Sequence, residues 1–143
     1  MNKRHVILAI AVIGVAALGV SLNRLSAAKR HAQSIGCANQ IVVICFSGRL
    51  YAADYNSHFP TNFTSMSNEL VSCKALACPS DGAHKRCKGW ETYTDANCSY
   101  VIVNPGVHED ATNAVFIRCS VHGHLGDPDS TVFDGVRRRT KFN

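Results

Sequence analysis

The first 53 residues of this chain contain no acidic side chain and no proline. Without proline nothing in this stretch forces a break in a helix, and without carboxylates its charged side chains are all basic. The stretch includes the apolar run 6–22, which is preceded by Lys3 and Arg4 and followed by Arg24. Its 17 residues are at the short end of the range of about 17–25 that spans a bilayer. The pattern therefore predicts a helical membrane anchor over residues 1–24.

The sequence after the anchor predicts that the same helix continues as an amphipathic stalk over residues 25–56. The first carboxylate is Asp54 and the first proline is Pro60, which no helix should pass. Apolar side chains that recur every three or four residues form one face of this helix. The residues that we expect to pack on other helices through this face are Ile35, Val42, Phe46 and Leu50. Further apolar residues widen the face, so we expect a sheet or neighbouring chains to cover residues 35–53.

The remaining region, residues 57–143, predicts loops and a small antiparallel sheet. β-branched and aromatic residues between turn-forming residues predict strands at 99–103, 114–119, 131–133 and 136–140. Residues 65–73 predict a short helical turn, and residues 123–130 predict a turn between strands. So small a sheet requires an apolar surface to pack on, which the helix face at 35–53 offers. The expected fold class is thus α+β, a long N-terminal helix packed on a small sheet.

Motifs of several enzyme classes are missing from the chain. It has no G-x-S-x-G elbow, no glycine-rich phosphate loop and no H-E-x-x-H zinc motif. A nucleophilic pair of Cys119 and His122 is the alternative that would make the protein a thiol enzyme. The sequence as a whole favours a protein that is not an enzyme.

The net charge of +5 arises partly from a basic tail. Its cationic residues are Arg137, Arg138, Arg139 and Lys141. No aromatic or glycine residue is interleaved among them, as would be typical of a surface that binds single-stranded nucleic acid. We therefore expect a solvated tail and no nucleic-acid partner. The expected partners are the lipid bilayer and the helices of similar subunits.

The apolar run has a second interpretation as a cleaved secretory signal. Such a signal has the same basic start and apolar centre, and Ala17-Leu18-Gly19 loosely matches its small-x-small cleavage site. A retained anchor is favoured because the helical pattern continues beyond the run. The seven cysteines favour an oxidising compartment for the distal region. The predicted location is a single membrane pass, with the C-terminal region on the non-cytoplasmic side.

Short motifs along the chain resemble those of bacterial type IV pilin-like proteins and type II secretion pseudopilins. That group has C-x-N-N-L-x-x-I, Y-A-x-D, F-P, C-P-S-D, C-x-x-H-G and F-x-D-G segments in this order. The residues that resemble them here are Cys37-Ala38-Asn39 with Ile41 and Ile44, then Tyr51-Ala52 with Asp54, Phe59-Pro60, Cys78-Pro79-Ser80-Asp81, Cys119 with His122-Gly123, and Val132-Phe133-Asp134-Gly135. The resemblance implies a non-enzymatic structural subunit of a secretion or pilus-type assembly. Its fold would be a long helix packed on a small antiparallel sheet. The resemblance also implies a single pass through a bacterial inner membrane, with the C-terminal region periplasmic or extracellular.

The chain departs from that group at its N-terminus. Prepilins carry a glycine before the cleavage point and a glutamate shortly after it. Residues 3–8 contain neither. The departure predicts an anchor that is not processed by the prepilin peptidase.

The cysteines leave disulfides and metal binding as alternatives. The resemblance places Cys78 and Cys119 at matched positions and implies a disulfide between them, and a second, weaker pairing is Cys87 with Cys98. No cofactor is required by the sequence. An alternative is an anchored or secreted module that binds zinc through thiolates and imidazole, with Cys73, Cys78, Cys119 and His122 as ligands. A further alternative is calcium, which takes carboxylate oxygens, at Asp127, Asp129 and Asp134. On the helix, Cys37 and Cys45 are interpreted as small buried apolar residues.

Overall fold

The computed structural model describes the backbone of residues 3–84, 86–111, 114–129, 132–134 and 137–140. Side chains are described for the same residues, except for 3–13, 15–18 and those beyond 129. The chain divides into two compact units, Met1–Gln33 and Ser34–Asn143. The stalk predicted for residues 25–56 is therefore shared between these units.

The predicted long helix is confirmed as α1, which spans Lys3–Asp54. It ends two residues before the predicted position, because Asn56 and Ser57 adopt left-handed backbone conformations with φ of 52° and 60°. Part of it, Gly19–Asp54, is long enough to cross a membrane and contains an apolar window of 18 residues with a mean hydropathy of 1.3. The core helix of a soluble protein and a signal sequence meet the same criterion. Most side chains of the predicted anchor lie outside the described residues.

In the second unit, α1 is followed by four short 3₁₀ turns and then an antiparallel sheet. The 3₁₀ turns are Thr64–Met66, Cys73–Leu76, Trp90–Thr92 and Asp95–Asn97. The helical turn predicted for residues 65–73 is thus replaced by two separate turns near its ends. Ser72 begins the second of these turns, where its hydroxyl accepts a hydrogen bond from the backbone N–H of Lys74.

Five strands in chain order form the sheet, with each strand paired to the next. They are β1 Tyr100–Ile102, β2 Ile117–Cys119, β3 His124–Gly126, β4 Val132–Asp134 and β5 Arg137–Thr140. β1, β2 and β5 fall within predicted strands, and β4 extends one residue beyond the strand predicted for residues 131–133. The α+β layout is confirmed. The turn predicted for residues 123–130 is wrong, since β3 lies within it. There, Ile117 pairs with Gly126 and His124 pairs with Asp134, so β3 is held by hydrogen-bonded neighbours on both sides.

The core of the second unit forms on one face of α1. The buried residues of that face are Cys37, Ile41, Ile44, Cys45, Ser47, Gly48 and Ala52. They lie in one core with Phe59, Met66, Leu76, Phe116 and Ile117 from the loops and sheet. Among the predicted packing residues, Ile35, Phe46 and Leu50 are exposed and Val42 is half-buried. Of the two covers expected for residues 35–53, the sheet of the same chain does not cover these residues, because it packs on the opposite face of α1. Their packing on neighbouring chains stays a prediction.

Candidate metal centre

Three thiols and one imidazole come together in the second unit, from four separate positions along the chain. Cys37 lies on α1, Cys78 follows the second 3₁₀ turn, Cys119 ends β2, and His122 lies in the turn after β2. One ligand atom from each residue lies within 4.8 Å of the other three. The three cysteines are buried and His122 is half-buried. We call these four residues the Cys/His cluster.

Close packing of α1 against the loop before β1 brings Cys37 into the cluster. A Cβ atom on Gly36 would lie 3.3 Å from Cγ of Pro79, so this position admits little more than a glycine. The Tyr100 hydroxyl donates a hydrogen bond of 2.7 Å to Oε1 of Gln40 and lies 3.5 Å from Sγ of Cys37. Because Tyr100 pairs with Cys119 across β1 and β2, the helix and the sheet meet at the cluster.

The turn that carries Cys78 is held by a buried hydrogen-bond network. The backbone N–H of Cys78 donates to Oγ of Ser99 at 2.9 Å, and that hydroxyl donates to Oδ2 of Asp81 at 2.7 Å. Asp81 also accepts the backbone N–H of Ala83 and of His84. These donors, with the Ser99 hydroxyl first, hold the pKa of the Asp81 carboxyl well below its usual range. The carboxylate therefore stays ionised and fixes the turn at neutral pH.

A tight turn presents Cys119 and His122 to the same point. The backbone N–H of Gly123 donates to the carbonyl of Cys119 at 3.0 Å, with Gly123 at a φ of 71° that favours glycine. The backbone N–H of His122 points at Sγ of Cys119 at 3.4 Å. The His122 ring has Nδ1 3.3 Å from Sγ of Cys78 and Nε2 3.1 Å from Oγ of Ser80. Both ring nitrogens therefore have a defined neighbour.

The pKa values of Cys78, in the loop, and Cys119, on the sheet, are shifted in opposite directions. A hydrogen bond from the Cys37 thiol, together with the backbone N–H groups of His122 and Val121, lowers the pKa of Cys119. Burial raises the pKa of Cys78. The cluster thus favours a thiolate at the end of β2, next to thiols that can donate hydrogen bonds to it.

The structure corrects the cysteine pairings expected from the sequence. Cys73 and Cys87 form a disulfide, so the predicted pairing of Cys87 with Cys98 is wrong. Cys78 and Cys119 are free thiols, which contradicts the predicted disulfide between them, although both belong to the cluster. The disulfide closes a loop with a sequence separation of 14. In the chain-entropy account such a loop stabilises the fold by about 3 kcal/mol.

The zinc ligands expected from the sequence are right at three positions and wrong at one. Cys78, Cys119 and His122 come together, but Cys73 is in the disulfide and Cys37 takes its place. Cys37 was expected to be a small buried apolar residue; it is buried, but its sulfur faces the cluster. The signal that could have found it is the motif around Cys37-Ala38-Asn39, the one place on the helix where the resemblance involves a cysteine.

The described residues do not form a calcium site at the aspartates expected from the sequence. Asp127 is buried and Asp129 is exposed, and neither belongs to a group of three or more potential metal ligands there. The side chain of Asp134 lies outside the described residues. The thiol-enzyme alternative pairs Cys119 with the His122 imidazole, but the hydrogen-bond contacts of that ring are with Cys78 and Ser80. Burial of the three thiols also restricts the approach of a substrate.

The fold and the cluster together define a class: a small α+β unit whose long N-terminal helix is joined to its sheet around a group of three cysteines and one histidine. Comparisons of the chain with protein-family models, with curated proteins and with solved structures found no match.

Proposed function

We propose that this chain is a non-enzymatic, membrane-anchored structural subunit of a bacterial pilin-like or pseudopilin-like assembly, in which α1 packs on the helices of like subunits. The observation that carries the proposal is an apolar row on the side of α1 that faces away from the core. It consists of Ile35, Val43, Phe46 and Leu50, and we call it the outer row. Their exposed fractions are 50%, 50%, 57% and 45%, respectively.

So much apolar surface on one helix face indicates a contact surface. Single exposed apolar residues are ordinary, but a contiguous row marks a site of association. Val43, Phe46 and Leu50 follow one another at spacings of three and four residues, which is the spacing that packs one helix on another, and Ile35 lies eight residues before Val43. Arg49 and Asn39 are exposed as well. Asn39 is four residues from both Ile35 and Val43, so it lies within the row and separates Ile35 from the other three apolar residues. A helix from another subunit fits this surface better than a compact ligand would.

Three further features support the anchored arrangement. α1 is long and apolar enough to cross a membrane. The Cys73–Cys87 disulfide favours a non-cytoplasmic location for the second unit, because the cytosol keeps thiols reduced. The α+β layout of a long helix and a small antiparallel sheet is the one that pilin-like subunits share. Residues 3–8 contain neither the glycine nor the glutamate of the prepilin processing motif, so the proposed subunit would not be cut there by the prepilin peptidase.

Site-specific photo-crosslinking in membranes tests the proposal. A photoreactive residue in place of Phe46 is expected to give crosslinks to a helix of a second subunit, because the outer row would be covered there. The matched control is a photoreactive residue in place of Val71, which is also exposed but lies in the loops of the second unit. Absence of crosslinks from position 46 in protein that resides in membranes would contradict helix packing through this row.

Alkaline extraction of the same membranes tests the anchor. Retention of the full-length chain in the lipid pellet, with Met1 or Asn2 as its first residue, is the expected result. Recovery of a soluble chain that begins near Val20 would instead identify a secreted protein, and would exclude the anchored subunit.

A further inference from the structure

We propose that Cys37, Cys78, Cys119 and His122 bind one structural zinc ion, which joins helix α1 to the sheet. This inference does not depend on the proposed function, because it concerns the interior of the second unit alone. The site is one that a soluble or an anchored protein could use equally well.

The ligand set is one that zinc uses in closed structural sites. Three thiolates and one neutral imidazole form a common tetrahedral combination, with bonds of about 2.3 Å to sulfur and about 2.0 Å to nitrogen. Such bonds place ligand atoms roughly 3.5–3.8 Å apart along the tetrahedron's edges. The Sγ of Cys78 and Nδ1 of His122 are 3.3 Å apart, and the cluster's largest separation is no more than 4.8 Å. Small side-chain adjustments bring all four atoms to zinc distance.

The surroundings of the cluster also fit a metal site. Nε2 of His122 lies 3.1 Å from Oγ of Ser80. A ring that donates its Nε2–H to that hydroxyl keeps Nδ1 unprotonated as a ligand, which is how outer partners orient ligating histidines. The backbone N–H of His122 points at Sγ of Cys119, and the Tyr100 hydroxyl lies near Sγ of Cys37. Such donors offset the negative charge that three thiolates leave on the site.

The position of the cluster assigns the zinc a structural role. All four coordination positions are filled by protein, so no position is open for water or substrate. The ligands come from α1, from the loop before β1, from β2 and from the turn that follows it. Bound zinc therefore connects elements that are far apart in sequence, and its binding free energy adds to that of folding. The rival chemistry is a disulfide between Cys78 and Cys119, which would leave Cys37 and His122 without a shared partner.

Metal analysis of the full-length chain, purified in detergent without chelator or reductant, tests the site. We expect about one zinc per chain by elemental mass spectrometry, since four protein ligands complete one tetrahedral ion. After removal of zinc and addition of cobalt(II), we expect the visible absorption of tetrahedral cobalt with thiolate charge-transfer bands. Less than about a tenth of an equivalent of either metal, under oxygen-free conditions, would overturn the proposal.

Two alanine variants on the same helix provide a matched comparison. Cys37→Ala removes a ligand, whereas Cys45→Ala removes an equally buried thiol outside the cluster. We expect zinc to be lost from the first and retained by the second. Equal zinc content in the two variants would overturn the ligand assignment. Peptide mapping that finds a disulfide between Cys78 and Cys119 in the native chain would also overturn the ligand assignment.

A third variant keeps the test decisive if Cys37→Ala does not fold. Ser80→Ala removes the hydroxyl next to Nε2 of His122 and leaves all four ligands in place. We expect it to fold and to bind zinc about 10-fold more weakly in competition with a chromophoric chelator, the lower end of the usual effect of outer-partner loss. Unchanged affinity would show that His122 does not ligate through Nδ1.

Discussion

Two faces of α1 between Ser34 and Asp54 carry similar apolar side chains but have different surroundings. The inner face, with Ile41, Ile44 and Cys45, is fully buried under the sheet and loops of the same chain. The outer row, with Phe46 and Leu50, is about half exposed. Hydrophobicity therefore does not by itself distinguish a residue that holds the subunit together from one that is available to a partner. What distinguishes them is which face the rest of the chain packs on.

The largest expected difference is between Ile41→Ala and Phe46→Ala. Truncating the buried Ile41 removes core contacts and leaves a cavity, which should lower the free energy of unfolding by about 2–5 kcal/mol. Truncating Phe46 in detergent-solubilised monomer should change it by no more than about 0.5 kcal/mol. Urea unfolding followed by the fluorescence of Trp90 measures both. Similar losses in the two variants would mean that the outer row is part of the subunit's own core.

A second pair of variants tests how closely the sheet approaches the inner face. A Cβ atom on Gly126 would lie 2.5 Å from Cγ2 of Ile41 and 2.7 Å from Sγ of Cys45. Gly126→Ala should therefore destabilise the fold by about 1–3 kcal/mol through overpacking. Gly82→Ala is the control, since no atom lies within 4 Å of a Cβ added there. A stable Gly126→Ala protein would show that β3 does not lie against this face.

The smallest expected change in the free energy of unfolding comes from the hydrogen bond between Tyr100 and Gln40. Tyr100→Phe removes the 2.7 Å hydrogen bond to Gln40 and should cost about 1 kcal/mol. In a Gln40→Ala background the same change should cost clearly less, because the bond is already absent. Tyr55→Phe serves as the control, since Tyr55 is 53% exposed. Additive losses from Tyr100→Phe and Gln40→Ala would contradict a direct bond.

Element prediction from the sequence succeeded where local preference and tertiary environment agree. The β-branched and aromatic residues around Tyr100 and Ile117 predicted β1 and β2 correctly. β3 was missed because His124-Leu125-Gly126 has low strand preference and precedes Asp127-Pro128, a turn-forming pair. It is a strand because β2 and β4 both pair with it. That pairing depends on distant residues, which no local pattern contains.

In the candidate site too, the sequence predicted what depends on nearby residues and missed what depends on distant ones. The short C-x-x-H spacing of Cys119 and His122 marked one half of the cluster, and the Cys78-Pro79-Ser80-Asp81 turn marked another part. Cys37 was not predicted to belong to the cluster, because it lies on a helix and far from the other three residues in sequence. Its apolar surroundings on the helix favoured its interpretation as a core residue. Cys73 was included because of its proximity to Cys78 in the chain. Sequence proximity was misleading there, since the 3₁₀ turn at Cys73–Leu76 directs it to Cys87.

The sequence alone determined the long helix, its apolar start and the strand-forming segments, because these depend on the absence of proline and carboxylates and on residues adjacent in the chain. The tertiary structure decided which face of α1 is buried, which cysteines meet and where β3 forms. These outcomes depend on the side from which the loops and sheet pack on the helix. That choice is made by the combined burial of many distant side chains, and no single segment of the sequence specifies it.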